Sequence, residues 1–407
     1  MKQEFDLVIV GAGVVGATLA AALSDNGLRI ALLDAREPPR FDAKADWDLR
    51  VFAFSPASRQ LLDAVGAWKA IPAERVCAYT AMQVWDATGR GRIHFDCAEV
   101  GEEALGYIAE NRLILHALWR RLEHAENVTA IYPARPEAVH FDAQHVALSL
   151  EGGSRLHARL LVAADGADSA VRKLAGIETA AARYRQQAVV AHLSTEKPHR
   201  YTARQRFLPS GPLALLPLAD GRVSLVWSLD DARVGEVRAL DDAQFCAAVA
   251  EASARVLGRV TGTTKRAVFP LQRLRARAYV HPRLALIGDA AHAVHPLAGQ
   301  GMNLGLQDAL ALSAAIRAAL ARERDIGDLA VLRRYERARK GDNLAMIMAL
   351  DGFKRLFGND IRPVALLRNA GLSAVDRFTP LKSAFMRRAM GLSAGLPPPK
   401  RTHESPD

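Results

Sequence analysis

The chain has 407 residues, half of them hydrophobic and 24% charged, which excludes a disordered polymer and gives enough length for two domains. A formal net charge of +10 comes without any recognisable nucleic-acid motif, so no nucleic-acid partner is expected, and an anionic membrane surface or plain solubility is left. Cys77, Cys97 and Cys246 lie far apart, no apolar run approaches the roughly 18 residues of a membrane span, and the opening MKQEFDLVIVGAG has no signal-like core; a disulfide framework, a cysteine metal site and a membrane span are excluded, and a reducing, cytoplasmic setting is expected.

Residues 5–10, FDLVIV, read as a buried parallel strand. Gly11-Ala12-Gly13-Val14-Val15-Gly16 follows, then an Ala/Leu-rich helix that Gly27 stops, then a strand to Leu33 that ends at Asp34. The order strand, GxGxxG, helix, strand, acid is a dinucleotide-binding order. Gly11 makes the tight turn, Gly13 admits the pyrophosphate, and Gly16 permits close helix packing. Asp34 lies 18 residues after Gly16, near the spacing of roughly 20 at which a carboxylate binds a ribose. These residues alone do not separate FAD from NAD.

Residues 35–49 read as a loop, and Arg50 opens RVFAFSPASRQLL, whose helix takes Ser55 as N-cap and Pro56 in its first turn. Residues 76–108 alternate and turn at Thr88-Gly89, the pattern of antiparallel strands in a second domain. Glu110-Asn111-Arg112 then leads into an amphipathic helix, with Asn111 as a candidate N-cap. A buried strand at Leu160–Ala164 closes on Asp165-Gly166 before a helix from about Ser169. Four strand-like segments between Gln187 and Leu229 read as an antiparallel sheet, followed by a helix near 241–257. Leu215, Val226 and Trp227 could line a pocket there, though core positions suit them better.

The strongest signal is RLALIGDAAHAVHPLAGQGMNLGLQD at 283–308. A strand over Leu284–Ile287 ends at Gly288-Asp289, a loop with Pro296, Gly299 and Gly301 follows, and a helix starts near Met302-Asn303. A strand-end carboxylate before a Gly-rich approach to a helix N-terminus suits a phosphorylated cofactor. His292 and His295 are three apart but have no third ligand in view, so no metal is expected. Two further helices come next, the second near Leu329–Met348. The tail, 352–407, carries ten Lys/Arg against four Asp/Glu. On a helix, Leu381, Phe385, Ala389 and Leu392 share one face, which could lie on a membrane or pack on the body of the protein.

GDAAH followed by HPLAGQGMNLG resembles the second FAD-binding motif of the class A flavoprotein aromatic hydroxylases. Along nearly the whole chain, including QVWDATG, the ENxxxxxAL pattern and RRAMGL, the resemblance is best to the hydroxylases of ubiquinone biosynthesis. It implies FAD, with Asp289 on the ribityl chain and Pro296, Gly299, Gly301, Met302 and Asn303 around the flavin ring. It implies that Arg50 contacts the FAD near its pyrophosphate, that Asn111 contacts the flavin, and that Asp165 and Gly166 lie near the pyrophosphate and the path of NAD(P)H. A solvated Arg50 and a merely capping Asn111 are the plainer alternatives. One departure is Asp34, where many members of the wider class carry glutamate.

The expected architecture is therefore α/β. A discontinuous Rossmann-like FAD-binding domain takes 1–75, 109–185 and 271–350; an antiparallel-sheet substrate domain takes 76–108 and 186–270; C-terminal helices and tail take 351–407. The implied reaction is ring hydroxylation of a polyprenylated phenol or quinol, with NAD(P)H and O2, through a flavin C4a-hydroperoxide. No catalytic acid or base is expected from the protein, because the cofactor carries the hard chemistry. Other ubiquinone-biosynthesis proteins are possible partners, and the inner membrane a possible peripheral contact. Two alternatives stand beside this reading: a hydroxylase of small soluble phenols, and a flavin-bearing subunit without turnover. A halogenase is disfavoured by the lack of a WxWxIP-like segment.

Overall fold

In the computed structural model, which describes residues 3–38, 41–42, 45–294, 299–358 and 361–392, five parallel strands form the floor of the cofactor-binding half. Their spatial order is Leu284–Leu286, Arg155–Ala163, Gln3–Val10, Ile30–Leu33 and Val128–Ile131. Leu7–Val10, Ile30–Leu33 and Leu160–Ala163 are buried without alternation, because helices cover a parallel sheet and both faces must be apolar. The helix Val14–Leu23 is buried almost all round. Its alanines let the helices Asn111–Glu123 and Gln300–Leu320 pack closely on it.

The second sheet has nine strands, and its helix-covered face alternates as a half-buried strand should: Leu213, Leu215 and Trp227 point into a core with Val189, Ala191, Phe245 and Val249. Leu215 and Trp227 are thus core, while Val226 turns to the other face with Ala188, Val190 and Leu271. The pairing is antiparallel with one exception. Thr202–Leu208 runs parallel to Ala81–Asp86, because that strand arrives from an earlier excursion of the chain rather than from a hairpin. The helix expected near 241–257 is Asp242–Ala252, started by a capping box between Asp241 and Gln244. A second helix, Asp231–Ala239, precedes it.

A small antiparallel sheet of Val51–Phe54, Gly106–Glu110 and Val76–Tyr79 joins the two halves. The strands Thr179–Thr195 and Ala267–Ala276 run through the boundaries expected at 185/186 and 270/271.

The C-terminal helices Arg362–Arg377 and Thr379–Ala389 pack on the body of the protein. Arg368 reaches Asp86 at 2.6 Å, both nearly without exposure, and Asn369 donates to the same carboxylate at 2.9 Å. In the last helix the expected apolar face is not the one that packs. Leu381 and Phe385 are exposed, and Lys382, Met386 and Met390 are buried. The reason is tertiary: Lys382 donates to Glu99 and to the His94 carbonyl, while the two methionines join Cys97, Val100 and Leu105. Among the described residues no helix is long and apolar enough to cross a membrane.

Candidate cofactor site

The first strand ends where Gly11 turns with φ +102°, and a side chain there would strike the Ala164 carbonyl oxygen at 2.2 Å. A side chain at Gly16 would strike the Gly11 carbonyl oxygen at 1.9 Å, so this glycine lets the helix close onto the turn. Gly13 differs: a methyl group there would meet nothing within 4 Å. It is the N-cap of the helix Val14–Leu23 and faces open space, which is where a diphosphate would be received. Asp34, half-buried, accepts from Ala12 N at 2.9 Å and Arg36 N at 3.0 Å, which fixes the acid beside the glycine turn.

Beside the Gly11 turn, at the end of the neighbouring strand, Asp165 accepts from Val171 N at 3.1 Å through Oδ2, while its buried Oδ1 has no partner among the described residues. Burial pushes this carboxyl up, against the pull of the Ser169 hydroxyl and the amides of the following turn. Gly166, at φ +81°, has open space where a side chain would be.

Asp289 follows the strand Leu284–Leu286 in a short 3-10 turn, Gly288–Ala290. By surface area it is exposed, yet it is ringed densely enough by protein for desolvation to push its carboxyl up, against the charges of His292 and Arg50. No group among the described residues hydrogen-bonds it. An acid at a strand end whose oxygens have no hydrogen bond among the described residues, glycines with room at Gly13 and Gly166, and an orphaned Asp165 oxygen suit the hydroxyls and diphosphate of FAD.

Gly299, in the left-handed region at φ +63°, caps the helix Gln300–Leu320, which starts two residues before the expected Met302. Gly301 is nearly open, with only Val294 near. Met302 is half-buried against the core. The Asn303 side chain is fully used inside the protein: its oxygen accepts from Ser55 N and Ser58 Oγ, and its amide donates to the carbonyls of Ala53 and Gly299. It pins the Ser55 turn to the start of the helix. Pro296 and His295 lie outside the described residues.

Arg50 is exposed, and its carbonyl accepts from Asn111 N at 2.9 Å, so the two stand together beside the cleft. Asn111 is the first residue of its helix, and Glu110 holds the N-cap position. The capping alternative for Asn111 thereby lapses, and its side chain has no hydrogen bond among the described residues. Glu110, fully buried, takes Arg75 at 2.6 Å and Arg112 at 2.9 Å.

Two sets of residues escaped the sequence. Asp308 accepts from Gly288 N at 3.1 Å and His292 Nε2 at 2.5 Å through one oxygen, and from Arg339 Nε and Asn343 Nδ2, each at 3.0 Å, through the other. Burial would raise this carboxyl, but the combined pull of His292, Arg339 and Asn343 prevails and holds it below the usual range. Arg172, also buried, donates to the carbonyls of Ala290 and Ala167, each at 2.8 Å, so it links the Asp165 loop to the Asp289 turn. The available signal was an acid in an Ala/Leu-rich helix, because a buried carboxylate requires partners. Among the described residues no cluster suited to a metal ion is present, and His292 is bound instead to Asp308.

A family model described as an FAD binding domain matches residues 4–347. The chain is 40% identical to the ubiquinone hydroxylase UbiL of Rhodospirillum rubrum, over 97% of this chain and 92% of that one. It is 38% identical to the 3-demethoxyubiquinol 3-hydroxylase of Escherichia coli, over 96% and 100%. With the human mitochondrial ubiquinone biosynthesis monooxygenase COQ6 it shares 37%, over 94% and 92%. Among solved structures, its fold matches a probable FAD-dependent monooxygenase of Pseudomonas aeruginosa, pqsL, with a TM-score of 0.76 at 23% identity, over 91% and 100% of the two chains. It also matches the p-nitrophenol 4-monooxygenase PnpA of Pseudomonas putida, with a TM-score of 0.77 at 19% identity, over 97% and 99%.

Proposed function

Since the chain belongs to the FAD-dependent aromatic mono-oxygenase family that includes the ubiquinone hydroxylases, we propose that it hydroxylates the ring of a polyprenylated phenol or quinol in ubiquinone biosynthesis, with O2 and NAD(P)H as co-substrates. The observation that carries this reading is identity of 36–40% with such hydroxylases over nearly the full length of both partners.

In this reading Gly13, Asp165, Gly166 and Arg50 would hold the diphosphate, and Asp34 would hold a ribose. Asp289 accepts from the ribityl hydroxyls, and Gly288 gives its turn the room it needs. Gly299, Gly301 and Met302 would bring the start of the helix Gln300–Leu320 to the ring, with Asn111 as a further contact. When bound, FAD supplies electron transfer and oxygen activation. The chain supplies position and field. Its 21-residue helix would turn the positive end of its dipole toward the flavin. Asn303 acts through the turn it pins, since its side chain has no capacity left for the cofactor. The antiparallel sheet of the second half would form one wall over the reacting ring.

The reading also sets the protein in the cytoplasm, peripheral to the inner membrane and near other enzymes of the pathway, with the basic C-terminal helices toward anionic lipid. The test is mass spectrometry of quinone lipids from a strain lacking the protein. Loss of ubiquinone with build-up of a polyprenylated phenol or a later ring intermediate is expected, and the intermediate identifies the carbon. Unchanged ubiquinone together with turnover of small soluble phenols would overturn it.

A further inference from the structure

Arg50 stands outside every helix and strand, and its side chain is exposed, so neither a repeating backbone nor packing settles where its charge goes. That charge nevertheless acts on the Asp289 carboxyl. The segment just before it, 45–49, is tied down from both halves of the molecule.

One set of ties comes from the small joining sheet and the helix Asn111–Glu123. Glu110 accepts from Asp48 N at 2.6 Å, and Arg112 donates to the Asp46 carbonyl. Arg75 donates to the Ala45 carbonyl at 3.3 Å and covers the Trp47 ring at 4.9 Å. The other set comes from the nine-stranded sheet. Ala188, Val190 and His192 alternate onto one face of the strand Thr179–Thr195. Leu49 packs on the cluster that holds the first two, and His192 Nε2 donates to the Asp48 carbonyl at 3.1 Å. Arg222 donates to Asp46 Oδ1 at 2.9 Å, while Asp220 holds its Nε at 2.8 Å.

The chemistry of His192 is that of a tether. A carbonyl can only accept, so the ring carries its proton on Nε2. Nδ1 is buried with no partner among the described residues. Desolvation, helped by the Arg222 charge, disfavours the protonated ring against the pull of the Asp48 carbonyl, Asp220 and Asp46. Asp48 passes the hold to its neighbour: its Oδ1 accepts from Arg50 N at 3.1 Å, and the Arg50 carbonyl accepts from Asn111 N at 2.9 Å.

We propose that His192 and Arg222 are positioning residues for Arg50, holding the segment 45–49 from the sheet half so that the Arg50 charge stays at the Asp289 end of the cofactor site. The proposal rests on the reading above in which Arg50 helps to hold FAD, and it makes cofactor affinity depend on two side chains of the other half.

The test titrates the full-chain apoprotein with FAD and follows flavin fluorescence. Arg50→Gln alone is expected to weaken FAD binding. His192→Leu and Arg222→Met are each expected to weaken it about fivefold, the effect of one lost hydrogen bond. His192→Gln, which returns an N–H near the place of Nε2, is expected to recover it. Arg222 is partly exposed, so Arg222→Met reports even where His192→Leu folds poorly. In an Arg50→Gln background the same replacements should change affinity by less than about twofold, because groups that act through one another are not additive. An equal loss with and without Arg50 would make both anchors merely structural and overturn the proposal, as would wild-type affinity in both single variants. Wild-type affinity in Arg50→Gln would remove Arg50 from the cofactor and the positioning role with it, while loss of ubiquinone in the strain lacking the protein would still uphold the hydroxylase reading.

Discussion

His292 Nε2 donates to Asp308 Oδ2 at 2.5 Å, with both side chains fully buried. The same oxygen holds the Gly288 amide, so the turn that presents Asp289 hangs on a carboxylate from the next helix. Removing that carboxylate takes from the buried Arg339 its closest counter-charge, at 3.0 Å, and leaves it the half-exposed Asp342 at 3.4 Å and the Asn343 amide oxygen. Asp308→Ala is expected to cost about 3–5 kcal/mol, the usual penalty for breaking a buried pair from one side. It is also expected to lower FAD occupancy. Urea unfolding and the flavin-to-protein absorbance ratio measure the two effects. The pH dependence has a definite sign. Asp308 is held below its unfolded value of about 3.9, so its contribution is full above about pH 4 and disappears as pH falls through the lowered native value. Asp86, also lowered against its own desolvation, adds to the same acid limb. Asp308→Asn should flatten that limb, and an unchanged acid profile would remove Asp308 from it.

Asp289 makes a cleaner test of cofactor binding, because its carboxylate supports nothing else. It has no hydrogen bond within the described protein, and burial disfavours its charge. Asp289→Ala should leave the apoprotein as stable as wild type or slightly more so, while the purified protein comes out with little flavin. Denaturant melts of apoprotein and flavin content on purification give the two readouts. A mutant carrying full flavin would remove Asp289 from the cofactor site.

The contrast between Asp289 and Asp308 also shows what can be read from a sequence. Asp289, Gly11, Gly13 and Gly16 were legible because their meaning is local: a strand end, a turn and a helix start within a few residues. The partners of Asp308 were not, because Arg339 and Asn343 come from another helix and meet it only once that helix packs. The same limit explains the last helix. Periodicity found its apolar face, but the side that packs was chosen by Glu99 and the His94 carbonyl capturing Lys382. The parallel pairing of Thr202–Leu208 with Ala81–Asp86 was hidden for a related reason, since strand order between distant segments leaves no local mark. Asn303 was legible as part of the motif, yet its work in pinning Ser55 needed the fold.

Arg368 and Asp86 bind the C-terminal helices to the sheet, and this changes how the tail can be tested. Deleting residues from 352 onward would strip a buried carboxylate of Arg368 and Asn369 and uncover Val84 and Phe95. Such a truncation is expected to lose folded yield, whatever the tail does at a membrane. Asp86→Ala alone should cost about 3–5 kcal/mol by removing the buried carboxylate that faces the Arg368 charge. The double replacement Asp86→Leu with Arg368→Met should recover most of it, since an apolar pair of similar volume restores packing without buried charge. Chemical denaturation of the single and double variants decides this. A double variant as unstable as the single would mean that the pair does more than compensate its own burial.

The three glycines of the first turn should respond in two different ways. Gly11 needs a positive φ and has the Ala164 carbonyl oxygen 2.2 Å from where a side chain would begin. Gly16 has the Gly11 carbonyl at 1.9 Å. Alanine at either position must push backbone apart, so Gly11→Ala and Gly16→Ala are expected to fail as folded proteins. Gly13 has φ −68° and open space around it, so Gly13→Ala carries no native strain. Stability of the apoprotein should change by no more than about 1 kcal/mol, since glycine and alanine differ little at such a site. Its methyl group would nevertheless occupy the space assigned to the diphosphate. The expected result is a well-folded protein that binds FAD at least tenfold more weakly, an effect of roughly 1.4 kcal/mol. Titration of apoprotein with FAD, followed by quenching of flavin fluorescence, measures it. Wild-type affinity in Gly13→Ala would place the diphosphate elsewhere in the cleft and leave Gly166 as the remaining open glycine to receive it.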